Sequence, residues 1–341
     1  MMQATAPQQR DRGRIASASI VWLIVGLCCI APIVWIVVQL IANPTAMSEL
    51  RLDPFRIKLI ARTIAYNGAA AIVATLLAVP AAIVIGRGRG IFAAALWLIL
   101  PIALLLPSLT FAYGWSQSIR LLDAWLKAHT SQDWLRRLLE FEPGEYCDVA
   151  RCVWSLATWL FPVPAIVMGL SLRRVDTSLQ QQAQLDGVLW RVTARQILGP
   201  ALASMAIVAV LAMQEFAVYE PTGISVIATE TRMVFETGAF SSTDNLITQR
   251  LVGAPQTSTP GDQRARAAAA VATSVPMLIV IGVLSIIAAI GARKLTAADA
   301  IESGAWPASL NARRRVTVAA WAIALLAIAV PIVSLCLSLK R

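Results

Sequence analysis

The feature that most constrains this chain is a set of long apolar runs without a charged side chain. Residues 91–117 and 316–339 are two of them, and neither contains Asp, Glu, Lys or Arg. The hydrocarbon core of a bilayer is about 30 Å thick, so a helix needs about 20 apolar residues to cross it. Both runs meet that length, and they predict an all-α, multi-pass membrane protein.

Seven runs qualify as membrane-spanning helices, which predicts a polytopic transmembrane bundle of about seven helices. They lie at residues 15–42, 63–85, 91–117, 152–172, 196–214, 267–292 and 316–339. The composition agrees, because 14% of the residues are charged and a soluble domain carries about 25%. The first run is longer than the apolar part of a cleavable signal peptide, so we expect it to be an uncleaved helix.

Four prolines lie inside the third and fourth runs, at Pro101, Pro107, Pro162 and Pro164. Membrane helices tolerate proline because neighbouring groups can satisfy the freed carbonyls. These prolines therefore predict either ordinary irregularity within a continuous helix or a kink.

Lysines and arginines in short loops predict which side of the membrane each loop occupies. They cluster in the N-terminal tail and after the second, fourth and sixth predicted spans, four segments that must share one side. The positive-inside rule makes that side the cytoplasm and places the N-terminus there. The residues are Arg10, Arg12, Arg14, Arg87, Arg89, Arg173, Arg174, Arg191, Arg195, Arg293, Lys294, Arg313, Arg314 and Arg315.

The sequence lacks patterns for catalysis, for a metal site or for a bound cofactor. It has no Gly-x4-Gly-Lys-Ser/Thr phosphate-binding loop, and its single histidine, His129, has no cysteine at metal-ligand spacing. The net charge of +10 is explained by the cytoplasmic loops, and no basic domain with interleaved aromatics predicts nucleic-acid binding. We therefore expect that the chain is not an enzyme and does not hydrolyse ATP itself, so any energy would have to come from a partner.

Two cysteines, Cys147 and Cys152, lie five residues apart at the predicted outer end of the fourth span. On an oxidising side of the membrane they could form a disulfide. The alternative is a pair of free thiols, one of them within the helix.

A polar segment at residues 173–200 separates the fourth and fifth spans. Ala183, Gly187, Ile197 and Pro200 are spaced there as in the cytoplasmic signature loop of bacterial ATP-binding-cassette (ABC) transporter permeases. That loop reads roughly Glu-Ala-Ala, three residues, Gly, nine residues, Ile, one residue, Leu-Pro. The chain resembles this family, and most closely the permeases of ferric-iron-type, binding-protein-dependent importers, over about residues 56–294.

The resemblance implies a permease subunit in the bacterial inner membrane that forms part of a translocation pathway. The family suggests ferric iron as the substrate, and thiamine, polyamine, sulfate and sugar importers use similar permeases. The resemblance also implies several partners: an ABC ATPase subunit, a second permease chain or half, an extracytoplasmic substrate-binding protein and membrane lipid. In this family the signature loop forms a short helix that docks on the ATPase. The corresponding residues here are Gln181, Gln182, Ala183, Asp186, Gly187, Ile197 and Pro200.

The segment departs from the family pattern at three positions. Gln181 and Gln182 replace Glu and Ala, and Gly199 replaces Leu. Loss of the carboxylate removes an ion pair with the ATPase, so we expect docking to depend on shape and on Asp186. The glycine at position 187 would allow a tight turn or the close approach of two backbones.

The first and last apolar runs resemble each other. At one constant offset Arg14, Trp22 and Pro32 match Arg313, Trp321 and Pro331, which favours an internal repeat. The predicted organisation is therefore residues 1–56 with the first helix, a permease core of five helices at 57–296, and residues 297–341 with a seventh helix that starts a second half. That second half would lie on another chain, or the chain would be truncated.

Few polar residues are candidates for the pathway. Ionisable groups near membrane depth are functional candidates by default, which selects Glu215 and its neighbour Gln214, together with Asn67 and Tyr113. Each could equally lie at an interface with water. Two other functions are an ion-gradient-driven secondary carrier, which would need buried charges inside the spans, and a membrane scaffold without transport, which would need no docking loop.

Overall fold

The computed structural model describes residues 26–27, 30–31, 33–42, 53–88, 90–129, 145–174, 177–237, 260–296 and 309–338. Regular structure within these ranges is helical. The predicted all-α multi-pass class is therefore confirmed. The helices are α1 (Ile33–Ala42), α2 (Pro54–Arg87), α3 (Ile91–Leu105), α4 (Ser108–His129), α5 (Glu145–Leu160), α6 (Pro162–Arg173), α7 (Thr177–Leu185), α8 (Leu189–Met213), α9 (Ile227–Thr237), α10 (Pro260–Thr296) and α11 (Leu310–Ser338), with a 3₁₀ turn at Glu220–Thr222.

The chain divides into two compact units. One contains residues 53–230 and 276–341, and the other contains residues 1–52 and 231–275. In the first unit α2 is the central helix, since it packs against α3, α5, α6, α8 and α11. The last helix, α11, packs on α4 and α2 within this same unit.

Small residues let the helices of the first unit approach closely. The buried face of α2 is rich in alanine, with Ala70, Ala74, Ala78 and Ala81 fully buried. A methyl group added to Gly86 would lie 2.5 Å from Leu172 Cβ. This is typical of membrane helices, where close backbone packing replaces the hydrophobic effect as the main source of association.

Four helices are long and apolar enough to cross a membrane alone, namely Pro54–Arg87, Leu189–Met213, Arg266–Ile290 and Leu310–Ser338. Two bent pairs raise the number to six if each pair forms one span. Half of the predicted first span lies outside the described residues, namely residues 15–25, 28–29 and 32, and its C-terminal part is α1. The second, fifth, sixth and seventh predicted spans coincide with continuous helices, and α2 begins nine residues before the predicted start.

The third predicted span is a bent pair of helices instead of one straight helix, which corresponds to the kink that its prolines predict as one alternative. It breaks between α3 and α4, whose axes differ by 96°. Leu106 has extended backbone angles, φ −78° and ψ 138°, as expected for a residue that precedes proline. The fourth predicted span is also bent, by 42° between α5 and α6, at Phe161 just before Pro162.

Contacts between helices show which ends of the first unit lie together. At one end, Arg173 Nε donates to Ile85 O at 3.0 Å, and Phe92 meets Trp321 edge to face at 6.5 Å between ring centroids. The basic ends of α2, α6 and α11 are thus neighbours. We call this the arginine end, and it agrees with the shared side predicted for these arginines.

The sequence also predicts amphipathic helical pieces at residues 121–126 and 134–139, on the membrane surface or capping the permease, and an extramembrane helix at residues 227–236. Residues 121–126 are helical in the structure, where they continue α4 to His129. The predicted helix after the fifth span is confirmed as α9. Residues 134–139, and most of residues 252–261, which the sequence predicts to be a surface loop, lie outside the described residues.

Candidate functional site

The segment that resembles the signature loop forms a helix–turn–helix. Helix α7 ends at Leu185, Gly187 has φ +70°, and α8 begins two residues later. The Gly187 N–H donates to Gln184 O at 3.1 Å and the Val188 N–H donates to Ala183 O at 2.9 Å. These two bonds form a Schellman motif, the helix ending that places glycine in the left-handed conformation.

Gly187 is therefore required by the turn. A Cβ built on it meets nothing within 4 Å, so no second backbone occupies that space. Of the two roles that the sequence left open, the structure supports the tight turn.

The predicted docking residues divide into two groups. Ala183, Ile197 and Pro200 are buried, and Ala183 lies where α7 packs on α8. Gln181, Gln182, Asp186 and Gly187 are exposed. The buried group stabilises the turn, while the exposed group is accessible to a partner.

Apolar side chains that the sequence analysis missed lie beside this exposed group. Leu185 is 88% exposed and Val188 is 39% exposed. With Gln181, Gln182 and Asp186 they form what we call the turn surface. Because α6 ends at Arg173 and α7 starts at Thr177, this surface belongs to the arginine end, beyond the membrane-spanning part of α6.

Two of the predicted pathway residues, Asn67 and Glu215, lie near Tyr219 in the loop after α8. Asn67 is buried in α2, where its Oδ1 accepts a hydrogen bond from the Tyr219 hydroxyl at 2.9 Å. Glu215 Oε1 accepts from the Ala217 N–H, so this carboxylate caps its own turn. Gln214 is exposed at the end of α8.

Tyr219 is a buried polar residue that the sequence analysis missed. It lies in the loop after α8, and burial raises the pKa of its hydroxyl, so that the group remains protonated. Nearby, the Ile227 N–H donates to Thr63 Oγ1 at 3.0 Å. Together these bonds attach the loop to the N-terminal half of α2, at the end opposite the arginines.

Tyr113 lies in α4 and lines a small niche with Arg151, Cys152 and Ser155 of α5. Both Cys147 and Cys152 are free thiols in the structure. Cys152 Sγ lies 3.5 Å from Val218 O and 3.5 Å from Thr222 Oγ1, which places the buried thiol against the loop after α8.

No protein-family model matches this chain, and no curated protein matches it. The structure itself supports a helical membrane protein with four to six spans.

Proposed function

We propose that this chain is the membrane-spanning permease subunit of an ATP-driven importer, and that its turn surface docks on a separate ATPase subunit. The observation that carries the proposal is the Schellman turn at Gly187, because it holds the docking helix α7 at a fixed angle to the membrane helix α8. The chain would contribute no catalytic group and no cofactor of its own.

The exposed side chains around the turn support docking, because apolar and polar groups lie next to each other on the turn surface. Leu185 and Val188 both expose apolar surface at the turn, at 88% and 39%. A contiguous exposed apolar patch with a polar rim is typical of a protein–protein contact, whereas a single exposed apolar residue such as Leu310 is not. The two glutamines and Asp186 provide such a rim without a strong charge.

The connection between α7 and α8 supports coupling. Helix α7 packs against α8, so a displacement of α7 would move the cytoplasmic end of a helix that crosses the membrane and contacts α2 and α6. ATP-dependent movement of the docked ATPase would reach the bundle by this route and switch the pathway between its two orientations.

The other partners follow from the same proposal. A second permease half would complete the pathway, and an extracytoplasmic binding protein would deliver the substrate to the loops at the end opposite the arginines. Ferric iron is the substrate class proposed from the resemblance in the signature loop. The bacterial inner membrane is the proposed location.

Leu185 provides the direct test, because its side chain is exposed and its loss leaves the turn intact. We expect Leu185→Ser to reduce the amount of ABC ATPase that co-purifies with the tagged chain in mild detergent, measured by quantitative mass spectrometry. Leu310→Ser is the matched control, since Leu310 is 82% exposed at the start of α11 and lies outside the turn surface.

The proposal is supported if an ABC ATPase co-purifies with the wild type and with the Leu310 variant, and if the Leu185 variant recovers a smaller amount of it. Recovery without any ATPase, under conditions that keep a known importer intact, would contradict it. Equal recovery with all three would show that the turn surface is not the docking site.

A further inference from the structure

A small niche lies at the end of the first unit opposite the arginines. It is formed by the second half of the broken span, the N-terminal part of α5 and the loop after α8. Its polar lining comes from Tyr113, Ser116, Arg151, Ser155 and Thr222. None of these residues belongs to the proposed docking segment, so the niche can be tested apart from docking, although Tyr113 is also one of the predicted pathway residues.

Ser155 is the residue that identifies the niche as a site. Its side chain is fully buried, yet its Oγ has no hydrogen-bond partner among the described residues. A buried hydroxyl without a partner destabilises the folded chain. The Thr222 hydroxyl, in contrast, already donates to Tyr219 O at 2.7 Å. Ser155 is thus a buried donor without an acceptor among the described residues, and an oxygen atom in the niche would supply one.

Arg151 adds positive charge beside this hydroxyl. It lies one turn before Ser155 on the same face of α5, and its guanidinium is paired with Asp148 at 2.8 Å. Both side chains of the pair are partly exposed, and partly exposed ion pairs are weak. An anionic group in the niche can therefore compete with Asp148 for the guanidinium.

The size of the niche limits the occupant. Its enclosed part has room for about one water-sized group, while Tyr113 is 51% exposed at the rim. We propose that the niche binds one oxygen of an oxyanion, a phosphate or a carboxylate. The Ser155 hydroxyl donates to the inserted oxygen, and Arg151 contacts the rest of the anion at the rim.

Cys152 reports on occupancy because it lines the niche and is 1% exposed, so a thiol reagent reaches it only when the loop after α8 moves away, and an occupant held in the niche opposes that movement. We expect inorganic phosphate, at constant ionic strength in detergent, to slow the reaction of Cys152 with methyl methanethiosulfonate several-fold. Mass spectrometry of the labelled peptide gives the rate. Cys147, which is partly exposed and lies on the same helix, is the internal control and should react at an unchanged rate.

Three substitutions separate the donors. Arg151→Gln should weaken the protection by phosphate about tenfold or more, the usual effect of losing a charged hydrogen bond. Ser155→Ala should weaken it as well, whereas Asp148→Asn should strengthen it by releasing the guanidinium. Because Asp148→Asn is a gain, it cannot be explained by poor folding.

A parallel experiment with short-chain phosphatidic acid distinguishes a lipid headgroup from a free solute. Protection by phosphate assigns the niche to solutes, and protection by the lipid alone assigns it to headgroups. If neither slows Cys152 labelling, or if Cys147 slows equally, the niche holds only water and the proposal is overturned.

Discussion

One hydrogen bond between two side chains, from the Tyr219 hydroxyl to Asn67 Oδ1, attaches the loop after α8 to the helical bundle. Both residues are buried, so Tyr219→Phe leaves the Asn67 carbonyl without its donor. We expect this change to lower the free energy of unfolding by about 1–3 kcal/mol, seen as a lower Tm in detergent. Tyr113→Phe is the control, because Tyr113 is exposed, and it should leave Tm unchanged. An equal fall in Tm for both variants would contradict a specific role of the Tyr219–Asn67 hydrogen bond.

The sequence could not identify Tyr219, because its partner Asn67 is 152 positions away. A tyrosine in a loop carries no local signal of burial. Asn67 is a pathway candidate in the sequence because it is polar inside an apolar run. In the structure its side chain instead holds the loop after α8 on α2 through Tyr219. Gly187 is the opposite case: a helix-stop glycine is a local signal, so its turn could be predicted from the sequence.

Gly187 gives a second test at a single residue. Valine is strongly disfavoured at positive φ, whereas asparagine tolerates it. We expect Gly187→Val to destabilise the turn by about 1–2 kcal/mol and to reduce ATPase co-purification, while Gly187→Asn retains most of it. Thermal unfolding of both variants checks that the bundle is intact. Equal loss with asparagine would instead indicate direct contact of the partner with the glycine.

Between helices, the decisive interactions are backbone contacts at glycine. Gly86→Ala would place a methyl group 2.5 Å from Leu172 Cβ and 2.9 Å from Gly169 O, forcing α2 and α6 apart. Overpacking of this kind costs about 1–3 kcal/mol. Gly68→Ala on the same helix is the control, because its added Cβ meets nothing within 4 Å. A lower Tm is expected for the first variant only, and comparable Tm values would rule out the close contact.

Helix bends illustrate what local sequence cannot decide. Pro80, Pro101 and Pro331 remain inside continuous helices, whereas the breaks occur just before Pro107 and Pro162. Every one of these prolines lacks an N–H and crowds the preceding turn. Which of these prolines breaks its helix depends on packing. At the break before Pro107, Trp159 Nε1 donates to Leu106 O at 3.0 Å, so a carbonyl that no longer has a partner within the helix is hydrogen-bonded by a neighbouring helix.

Across the membrane, the broken pair α3 and α4 decides the topology of the chain. Trp97 in α3 stacks on Arg173, whose guanidinium carbon lies 5.1 Å from the ring centroid, at the arginine end. Trp115 in α4 donates to Thr158 Oγ1 at 2.9 Å, further towards Cys152. The chain thus advances from one end to the other, which favours a bent crossing over a re-entrant loop.

Single cysteines in a cysteine-free background test this crossing in intact cells with a membrane-impermeant maleimide. Asp186→Cys lies on the turn surface at the arginine end, which the positive-inside rule places in the cytoplasm, so it should be labelled only after permeabilisation. Glu220→Cys lies in the exposed loop after α8 and should be labelled from outside. Ala124→Cys, exposed near the end of α4, distinguishes the two topologies. If α3 and α4 form a bent crossing, Ala124→Cys should be labelled in intact cells, as Glu220→Cys is. If they form a re-entrant pair, both ends of the pair return to the arginine end, and Ala124→Cys should be labelled only after permeabilisation, as Asp186→Cys is.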